Sequence, residues 1–321
     1  MKSPLVEIED LRVEFGSARA VDGASLRVFE GEVLALVGES GSGKTTLIRA
    51  IQGLQPMTSG AVRLEGQTAT ARHRDTVQMV FQDPTGALNP RRTIYEIVAE
   101  GLRIARFAGD EEAKVREALG MAGLRPVERF LPRYPHEISG GQRQRVVIAG
   151  AMVTSPRLLL ADEPVASLDA SIRGEILALL RNLVDTTGLA VLVVTHDLGL
   201  AWNIADRVAV MYLGRIVETG MTEELLAHPQ HPYTKALLSV VPETRQMEQQ
   251  ILAGEIPDPR KIPKGCRFHP RCPVMRSGEA ARLGIDERCK SDDPAIIAAD
   301  TIRGAACHAV ELQIRGLRSG V

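Results

Sequence analysis

The fold of this chain follows from residues 33–45, which read VLALVGESGSGKT. Five apolar residues lead into a loop that matches the pattern G-x-x-x-x-G-K-[ST] at every fixed position. Glycines let the backbone curl so that its N–H groups face phosphate oxygens, and the helix that begins near Lys44 adds its positive N-terminus. The stretch predicts a strand, a nucleotide phosphate loop and a helix, with Lys44 reaching the β- and γ-phosphates and Thr45 holding Mg²⁺.

Polar residues follow three more apolar runs at the point where each run ends. Asp162 and Glu163 follow the run LLLA, His196 follows AVLVVT, and Gln82 follows MVF. Runs that are apolar on both faces are typical of central strands in a parallel sheet, and open α/β sheets bind ligands beyond the carboxyl ends of such strands. We expect Asp162 in the Mg²⁺ shell, Glu163 as the base that polarises the attacking water, and His196 at the γ-phosphate. Gln82 is expected to ligate Mg²⁺ or to position water.

A second glycine-rich helix start lies at Ser139-Gly140-Gly141-Gln142. Ser139 is a good N-cap residue, and the two glycines allow a phosphate to approach the backbone closely. Because the chain already contains one phosphate loop, this segment is predicted to complete an ATP site on a different polypeptide. The protein is then expected to work as one half of a pair.

Composition places the chain among ordinary globular proteins. It has 321 residues, of which 44% are apolar, 25% charged and 3% aromatic, and its net charge is −1. This charge argues against a nucleic-acid-binding protein, which carries a basic face. No apolar run reaches the roughly 18 residues that cross a bilayer, and the first residues lack the apolar core of a signal peptide. We therefore expect a cytoplasmic protein, whose membrane role needs a partner that supplies the spans.

The chain beyond the phosphate loop divides into three stretches. Segments 110–123 and 142–154 read as helices, so residues of about 83–155 are predicted to form a helical insertion in the sheet domain. Residues 214–218 read as a late hairpin strand. From His228 the composition shifts to prolines, histidines and all four cysteines, which predicts a boundary near 228.

Together these motifs resemble the ATPase subunits of ABC transporters, and the resemblance covers residues 5–228. The matching motifs are the Walker A loop (Gly38, Glu39, Ser40, Gly41, Ser42, Gly43, Lys44 and Thr45, followed by Thr46), the Q-loop (Gln82), the signature (Ser139, Gly140, Gly141 and Gln142), Walker B (158–162), the catalytic Glu163, the D-loop (167–169) and the switch His196. The resemblance implies an α/β fold of the P-loop NTPase (RecA-like) type, with a parallel sheet core, an antiparallel β subdomain and an inserted α-helical subdomain.

The same resemblance implies how two such domains act together. They stack head to tail around two ATP molecules, and Ser139 of one binds the γ-phosphate held by the Walker A loop of the other. Phe15 matches the position whose aromatic ring stacks on adenine. The implied activity is ATP hydrolysis, with Mg²⁺ as the cofactor.

Two segments beyond these motifs indicate the branch of the family. Residues 231–234 (HPYT) and 266–273 (CRFHPRCP) resemble the C-terminal extension of dipeptide, oligopeptide and nickel importer ATPases, here residues 229–321. That resemblance implies a peripheral subunit on the cytoplasmic face of the inner (plasma) membrane that powers peptide import. The implied partners are a second ATPase subunit, either a copy or a paralogue, two transmembrane permeases and an extracytoplasmic solute-binding protein. Nickel, glutathione and oligosaccharides stay open as alternative cargoes.

All four cysteines lie in this extension, at Cys266, Cys272, Cys289 and Cys307. The cytosol disfavours disulfides, and four thiolates are a ligand set for a [4Fe–4S] cluster or for Zn²⁺. The gaps of five, sixteen and seventeen residues do not give the paired C-x₂₋₄-C of zinc ribbons. Members of the importer branch carry a cluster on such a motif, so the resemblance favours iron–sulfur over zinc or free thiols. His269 and His308 lie near cysteines and are alternative or neighbouring ligands.

Two other classes of ABC protein fit the sequence less well. Soluble ABC ATPases that act on ribosomes usually carry two ATPase domains in one chain, and those that repair DNA carry long coiled-coil insertions. Exporter halves are normally fused to membrane spans. The sequence shows none of these features, so it favours an importer subunit over a soluble ATPase that is not coupled to transport.

Overall fold

The computed structural model describes residues 3–68, 76–241, 250–298 and 303–318. In these ranges the chain forms two sheets. The strands are β1 (Val6–Phe15), β2 (Ala18–Val28), β3 (Val33–Val37), β4 (Ser59–Leu64), β5 (Gln67–Thr68), β6 (Val77–Val80), β7 (Leu158–Asp162), β8 (Ala190–Thr195), β9 (Arg207–Tyr212), β10 (Arg215–Met221), β11 (Ile297–Ala298) and β12 (Gly304–Ala305).

The larger sheet is built on the apolar runs of the sequence. Its order is β11-β12-β10-β9-β3-β8-β7-β6, and the neighbours from β9 to β6 are parallel. Every residue of β3, β7 and β8 is buried, because separate apolar clusters cover the two faces of the sheet. The predicted central parallel sheet is confirmed. Its carboxyl edge brings together the ends of β3, β6, β7 and β8, which carry the predicted site residues.

The smaller sheet is antiparallel and has the order β2-β1-β4-β5. Its buried residues, among them Ile8, Leu26 and Val62, join Leu34 and Leu36 of β3 in one cluster. Buried and exposed residues alternate along the end of β2, because this sheet has only one face on the cluster.

Helices fill the connections between the strands. They are α1 (Lys44–Ile51), α2 (Pro84–Ala87), α3 (Ile94–Ile104), α4 (Glu111–Met121), α5 (Gly140–Met152), α6 (Ala170–Thr187), α7 (Leu198–Ile204), α8 (Thr222–Ala227), α9 (Pro232–Ser239), α10 (Pro273–Arg276), α11 (Glu279–Arg282), α12 (Asp286–Ser291) and α13 (His308–Arg318). The segment between the adjacent strands β6 and β7 is helical, and α3, α4 and α5 share one apolar cluster. Side-chain caps begin α3 at Thr93 and α4 at Asp110.

The C-terminal extension is continuous with the central sheet. Strand β12 pairs with β10 through Glu218 and Thr219, so the extension adds β12 and β11 to one edge. Phe268 is 1% exposed and packs against Tyr212 and Tyr233, with ring centroids 5.2 and 5.4 Å away. The change in composition near residue 228 thus does not coincide with a break in packing, because the extension shares an apolar cluster with strands of the sheet.

None of the helices in the described ranges has the length and apolar character needed to span a membrane.

Candidate functional site

Two glycines shape the phosphate loop through close backbone contacts. At Gly43 φ is +106°, and a β-carbon there would lie 2.2 Å from the carbonyl oxygen of Ala20. At Gly38 a β-carbon would lie 2.2 Å from the carbonyl oxygen of Met211. Any side chain at either position would displace the backbone, so both must be glycine. Helix α1 begins at Lys44, directly after this loop.

Lys44 lies folded against the loop. Its Nζ donates hydrogen bonds to the carbonyl oxygens of Gly38 (2.7 Å) and Glu39 (2.8 Å), and the residue is 5% exposed. Burial lowers the pKa of Lys44, while the carboxylates of Glu163 and Asp162 act in the opposite direction. The site therefore offers an incoming anion a partly desolvated ammonium group, whose attraction water screens only weakly.

Thr45 and Asp162 meet at the carboxyl end of β7. The Thr45 hydroxyl donates a hydrogen bond to Asp162 Oδ1 at 3.1 Å, although 117 positions separate the two residues. Asp162 is 4% exposed, and this burial raises its pKa, with the Thr45 hydrogen bond opposing the effect. A hydroxyl and a carboxylate in contact are oxygen ligands of the kind that Mg²⁺ prefers.

Glu163 is held between two other predicted site residues. Its Oε2 accepts a hydrogen bond from Gln82 Nε2 at 3.2 Å, and its Oε1 lies 3.0 Å from His196 Nδ1. Its backbone lies in the left-handed region with φ +45°, which is strained for a residue with a side chain and is common at functional sites. The ends of β6, β7 and β8 thus converge on one carboxylate.

A cavity of about 1020 Å³ connects these groups, which is at the upper end of the range of roughly 300–1,000 Å³ for small-molecule sites. The phosphate loop, α1 and the strand ends line it with Glu39, Ser40, Gly41, Gly43, Lys44, Thr45, Thr46, Gln82, Glu163 and His196. The remaining lining residues are Ala20 of β2 and Leu237, Gly254, Glu255, Ile256, Pro259 and Arg271 of the extension. Phe15 ends β1, is 51% exposed and lies outside this lining.

The signature segment lies apart from this cavity. Ser139 is the N-cap of α5, as predicted: its hydroxyl accepts a hydrogen bond from the backbone N–H of Gln142, and the Gln142 side chain accepts one from the N–H of Ser139. Gly141 packs against Ile172 of α6, where a β-carbon would come within 2.8 Å of it. Within the described residues, Ser139–Gln142 contribute nothing to the lining around Lys44.

The extension reaches the phosphate loop through two residues that were not predicted as site residues. Arg271 forms a two-pronged ion pair with Glu39, at 2.8 and 3.0 Å, and the Tyr233 hydroxyl accepts a hydrogen bond from the Glu39 backbone N–H at 2.9 Å. Both residues belong to the short segments HPYT and CRFHPRCP. Those segments indicated the family branch, but nothing local in them indicates contact with residue 39.

The four cysteines lie in the extension, with Cys272 buried and Cys266, Cys289 and Cys307 partly buried. Burial raises the pKa of the Cys266 thiol to about 12 and that of Cys272 to about 11, and the other cysteines raise both further. The pKa values of Cys289 and Cys307 are also raised by burial. Thiols raise one another's pKa only when they are close together. The fold therefore brings Cys266 near Cys307, which lies 41 positions away in the sequence (307 − 266).

This group does not have the geometry of a site for a single metal ion. Among the described residues, no three His, Cys, Asp or Glu side chains are placed to hold one. The two nearby histidines have other partners: His269 Nδ1 lies 2.9 Å from the carbonyl oxygen of Cys266, and His308 Nε2 lies 2.9 Å from that of Asp292. The prediction of a bound cluster or zinc is therefore not supported by a formed metal site.

Comparison with known proteins identifies the family. A model of the ABC transporter family matches residues 21–166, and a model of the oligopeptide/dipeptide transporter C-terminal region matches residues 217–278. The oligopeptide transport ATP-binding protein OppF of Salmonella typhimurium is 43% identical over 84% of this chain and 89% of its own length. The chain belongs to the oligopeptide branch of the ABC transporter ATP-binding proteins. AppF of Bacillus subtilis, also named an oligopeptide transport ATP-binding protein, is 41% identical over 91% of this chain and 90% of its own length.

Solved structures of ABC ATPases share the fold of this ABC subunit. The cbiO1 protein of Clostridium perfringens, part of the ABC transporter complex cbiONQ, superposes with a TM-score of 0.64. It is 28% identical and covers 71% of this chain and 92% of its own length. The predicted family, fold class and ATPase type are confirmed.

Proposed function

We propose that this ABC subunit binds MgATP in the cavity at Gly38–Thr46 and hydrolyses it to power the uptake of di- and oligopeptides. The observation that carries the proposal is the position of Glu163, which Gln82 and His196 hold at the edge of a cavity whose other wall is the phosphate loop. In this proposal residues 1–228 carry out hydrolysis, with residues of about 83–155 as the helical subdomain and residues 229–321 as the importer-type extension.

Binding starts with the phosphates. The loop N–H groups, the N-terminus of α1 and Lys44 receive the β- and γ-phosphates, and Lys44 exchanges its contacts with the Gly38 and Glu39 carbonyl oxygens for phosphate oxygens. Thr45 and Asp162 would hold Mg²⁺, with Gln82 as a further ligand, and the ion would supply positive charge to the β- and γ-phosphates. Phe15 is the residue that stacks on adenine, and its exposed ring at the end of β1 is free to do so.

Hydrolysis depends on Glu163 as the general base. Its carboxylate accepts a proton from the attacking water while the contact with Gln82 keeps it in place. His196 lies on the other carboxylate oxygen and contacts the γ-phosphate in the same site. Gln82 and His196 therefore both change partners when the γ-phosphate leaves, which links the nucleotide state to the ends of β6 and β8.

The site is completed by a second subunit. Ser139–Gln142 form a capped helix N-terminus that lies apart from the chain's own cavity, and Ser139 at its tip is exposed, so this anion-binding end is available to the ATP held by a partner. That partner is a paralogue or a second copy of this chain. The full importer also contains two membrane permeases and an extracytoplasmic solute-binding protein, and this subunit lies on the cytoplasmic face of the membrane.

Peptide cargo is proposed from the extension and from the relatives. The match over residues 217–278 is to the C-terminal region of oligopeptide and dipeptide transporters, and OppF and AppF are both named for oligopeptide transport. We propose that the four cysteines hold a [4Fe–4S] cluster rather than zinc, because their gaps of five, sixteen and seventeen residues lack the paired C-x₂₋₄-C of zinc ribbons.

The test is to capture the complex from membranes through a tag on this chain. Two membrane-spanning proteins are expected in the complex by mass spectrometry, and its ATP hydrolysis in liposomes is expected to rise with a peptide-loaded binding protein. Stimulation of ATP hydrolysis by nickel or glutathione in place of peptide would contradict peptide as the cargo and identify that solute instead. Full activity of the chain alone, with no membrane partner captured, would show a soluble ATPase instead.

A further inference from the structure

The C-terminal extension holds Glu39 of the phosphate loop at three atoms. Arg271 donates through both terminal nitrogens to the two carboxylate oxygens, and the Tyr233 hydroxyl accepts from the backbone N–H. The Arg271 side chain is 6% exposed and that of Glu39 is 30% exposed. A bidentate guanidinium–carboxylate pair that is largely shielded from water belongs to the stronger class of hydrogen-bonded ion pairs.

Packing contacts fix the orientation of the Arg271 side chain. It ends a short 3₁₀ turn, His269–Arg271, and its guanidinium lies 5.9 Å from the centre of the Tyr212 ring. Phe268 beside it packs between Tyr212 and Tyr233. The hydrogen bonds to Glu39 raise the pKa of Arg271, and a guanidinium is in any case charged at physiological pH.

Glu39 occupies a critical place in the loop. Its carbonyl oxygen accepts hydrogen bonds from Lys44 Nζ (2.8 Å) and from the N–H of Ser42 (3.2 Å). Its carboxylate carries a negative charge into a loop that must receive phosphate. An unpaired carboxylate at this point would repel the ligand, and the bidentate pair with Arg271 cancels that repulsion.

More of the extension lies along the same cavity. Gly254, Glu255, Ile256 and Pro259 line it. The carbonyl oxygen of Pro259 accepts a hydrogen bond from the N–H of Arg19 at 3.1 Å, which ties this stretch to the start of β2. The extension therefore contacts the surroundings of the cavity at both the phosphate loop and the start of β2.

We propose that the C-terminal extension is a built-in part of the nucleotide site, in which Arg271 is a positioning residue that orients the phosphate loop and neutralises Glu39. The inference rests on the proposed function in that Gly38–Thr46 bind the nucleotide. It adds that ATP affinity depends on residues more than 200 positions beyond the loop (271 − 39 = 232).

The experiment measures the dissociation constant of the full chain for a fluorescent ATP analogue. Arg271→Met is expected to weaken binding about tenfold, equivalent to 1.4 kcal/mol, because it leaves the Glu39 charge unpaired. Arg271→Lys keeps the charge but loses the two-pronged geometry. Its dissociation constant is therefore expected to lie between those of wild type and Arg271→Met. Arg276→Met, which removes an exposed arginine from the same segment, is the matched control and is expected to bind as wild type does.

The double variant Arg271→Met/Glu39→Gln distinguishes an effect of Arg271 on the Glu39 charge from a general loss of folding. If Arg271 acts through the Glu39 charge, removing that charge should restore affinity to within about threefold of wild type. Wild-type affinity in Arg271→Met, or no recovery in the double variant, would overturn the inference. Lys44→Ala distinguishes a failure of the proposed function: if it binds the analogue as tightly as wild type, the nucleotide site itself is wrong, whatever Arg271 does.

Discussion

Replacing Glu163 by glutamine tests the proposed base directly. The glutamine side chain has the same shape, and its single amide oxygen can keep the contact with Gln82 or the one with His196, which are 3.2 and 3.0 Å long in the wild type. The charge and the basic oxygen are lost, while the phosphate loop is untouched. General-base catalysis contributes about 10²–10⁴ to the rate, so kcat is expected to fall by that factor, equivalent to roughly 3–5 kcal/mol.

Binding and turnover should respond differently to this change. Removal of a negative charge near the phosphates leaves ATP affinity equal to or tighter than wild type. The assays are phosphate release by the complete transporter and titration of the chain with a fluorescent ATP analogue. Glu175→Gln is the matched control, because that side chain is 63% exposed and pairs with Arg145 on the surface. A kcat for Glu163→Gln within about tenfold of wild type would falsify the role of Glu163 as the base.

Four further changes test the shared ATP site, the phosphate loop, the buried histidine and the cysteines. Ser139→Arg is expected to abolish hydrolysis by the complex while the chain's own ATP affinity is kept, because Ser139 lies outside its cavity. Gly43→Ala is expected to weaken ATP binding at least tenfold, since a β-carbon 2.2 Å from the Ala20 carbonyl oxygen must displace the loop. His231 has a folded pKa lowered to about 3 by burial, so the unfolded state binds a proton below its pKa of about 6.5 and the folded state does not. The free energy of unfolding should therefore fall about 2 kcal/mol more between pH 7 and pH 5 in wild type than in His231→Asn, as measured by urea denaturation. Protein purified without oxygen is expected to be brown and to contain iron and acid-labile sulfide, and replacement of the four cysteines by serine should remove both.

Each of these expectations has a clear contrary result. Efficient turnover by monomeric protein, or full activity of the Ser139 variant, would contradict a shared site. Unchanged affinity in the Gly43 variant would mean that the loop tolerates displacement. Parallel pH profiles of wild type and His231→Asn would mean that this histidine is not buried in its neutral form. Colourless protein with one bound zinc would refute the cluster.

Much of the site was predictable because its signals are local. The loop around Lys44 has a fixed spacing, and the strands before Asp162 and His196 are continuous apolar runs, which are typical of a parallel sheet covered on both faces. Parallel order then places the polar ends of these strands at one edge. The contact between Glu163 and Gln82 follows from that geometry, although 81 positions separate them.

The role of the extension was not predictable, because its contacts are long-range and its elements are short. Strand β12 has two residues, Gly304 and Ala305, and shows no alternation that could indicate its pairing with β10. The sequence around Arg271 and the sequence around Glu39 contain no signal that predicts their pairing. Composition separated the extension from the ATPase, whereas packing around Phe268 joins the two.

ATP hydrolysis at Glu163 is proposed to power peptide import, and the uptake of a labelled tripeptide by living cells measures this coupling in one step. Cells whose own copy of this chain carries Glu163→Gln are compared with cells carrying Glu175→Gln, with the amount of each protein measured by immunoblot. The proposed coupling predicts that uptake is lost in the first strain and retained in the second at equal protein levels. Equal peptide uptake in the two strains would contradict it.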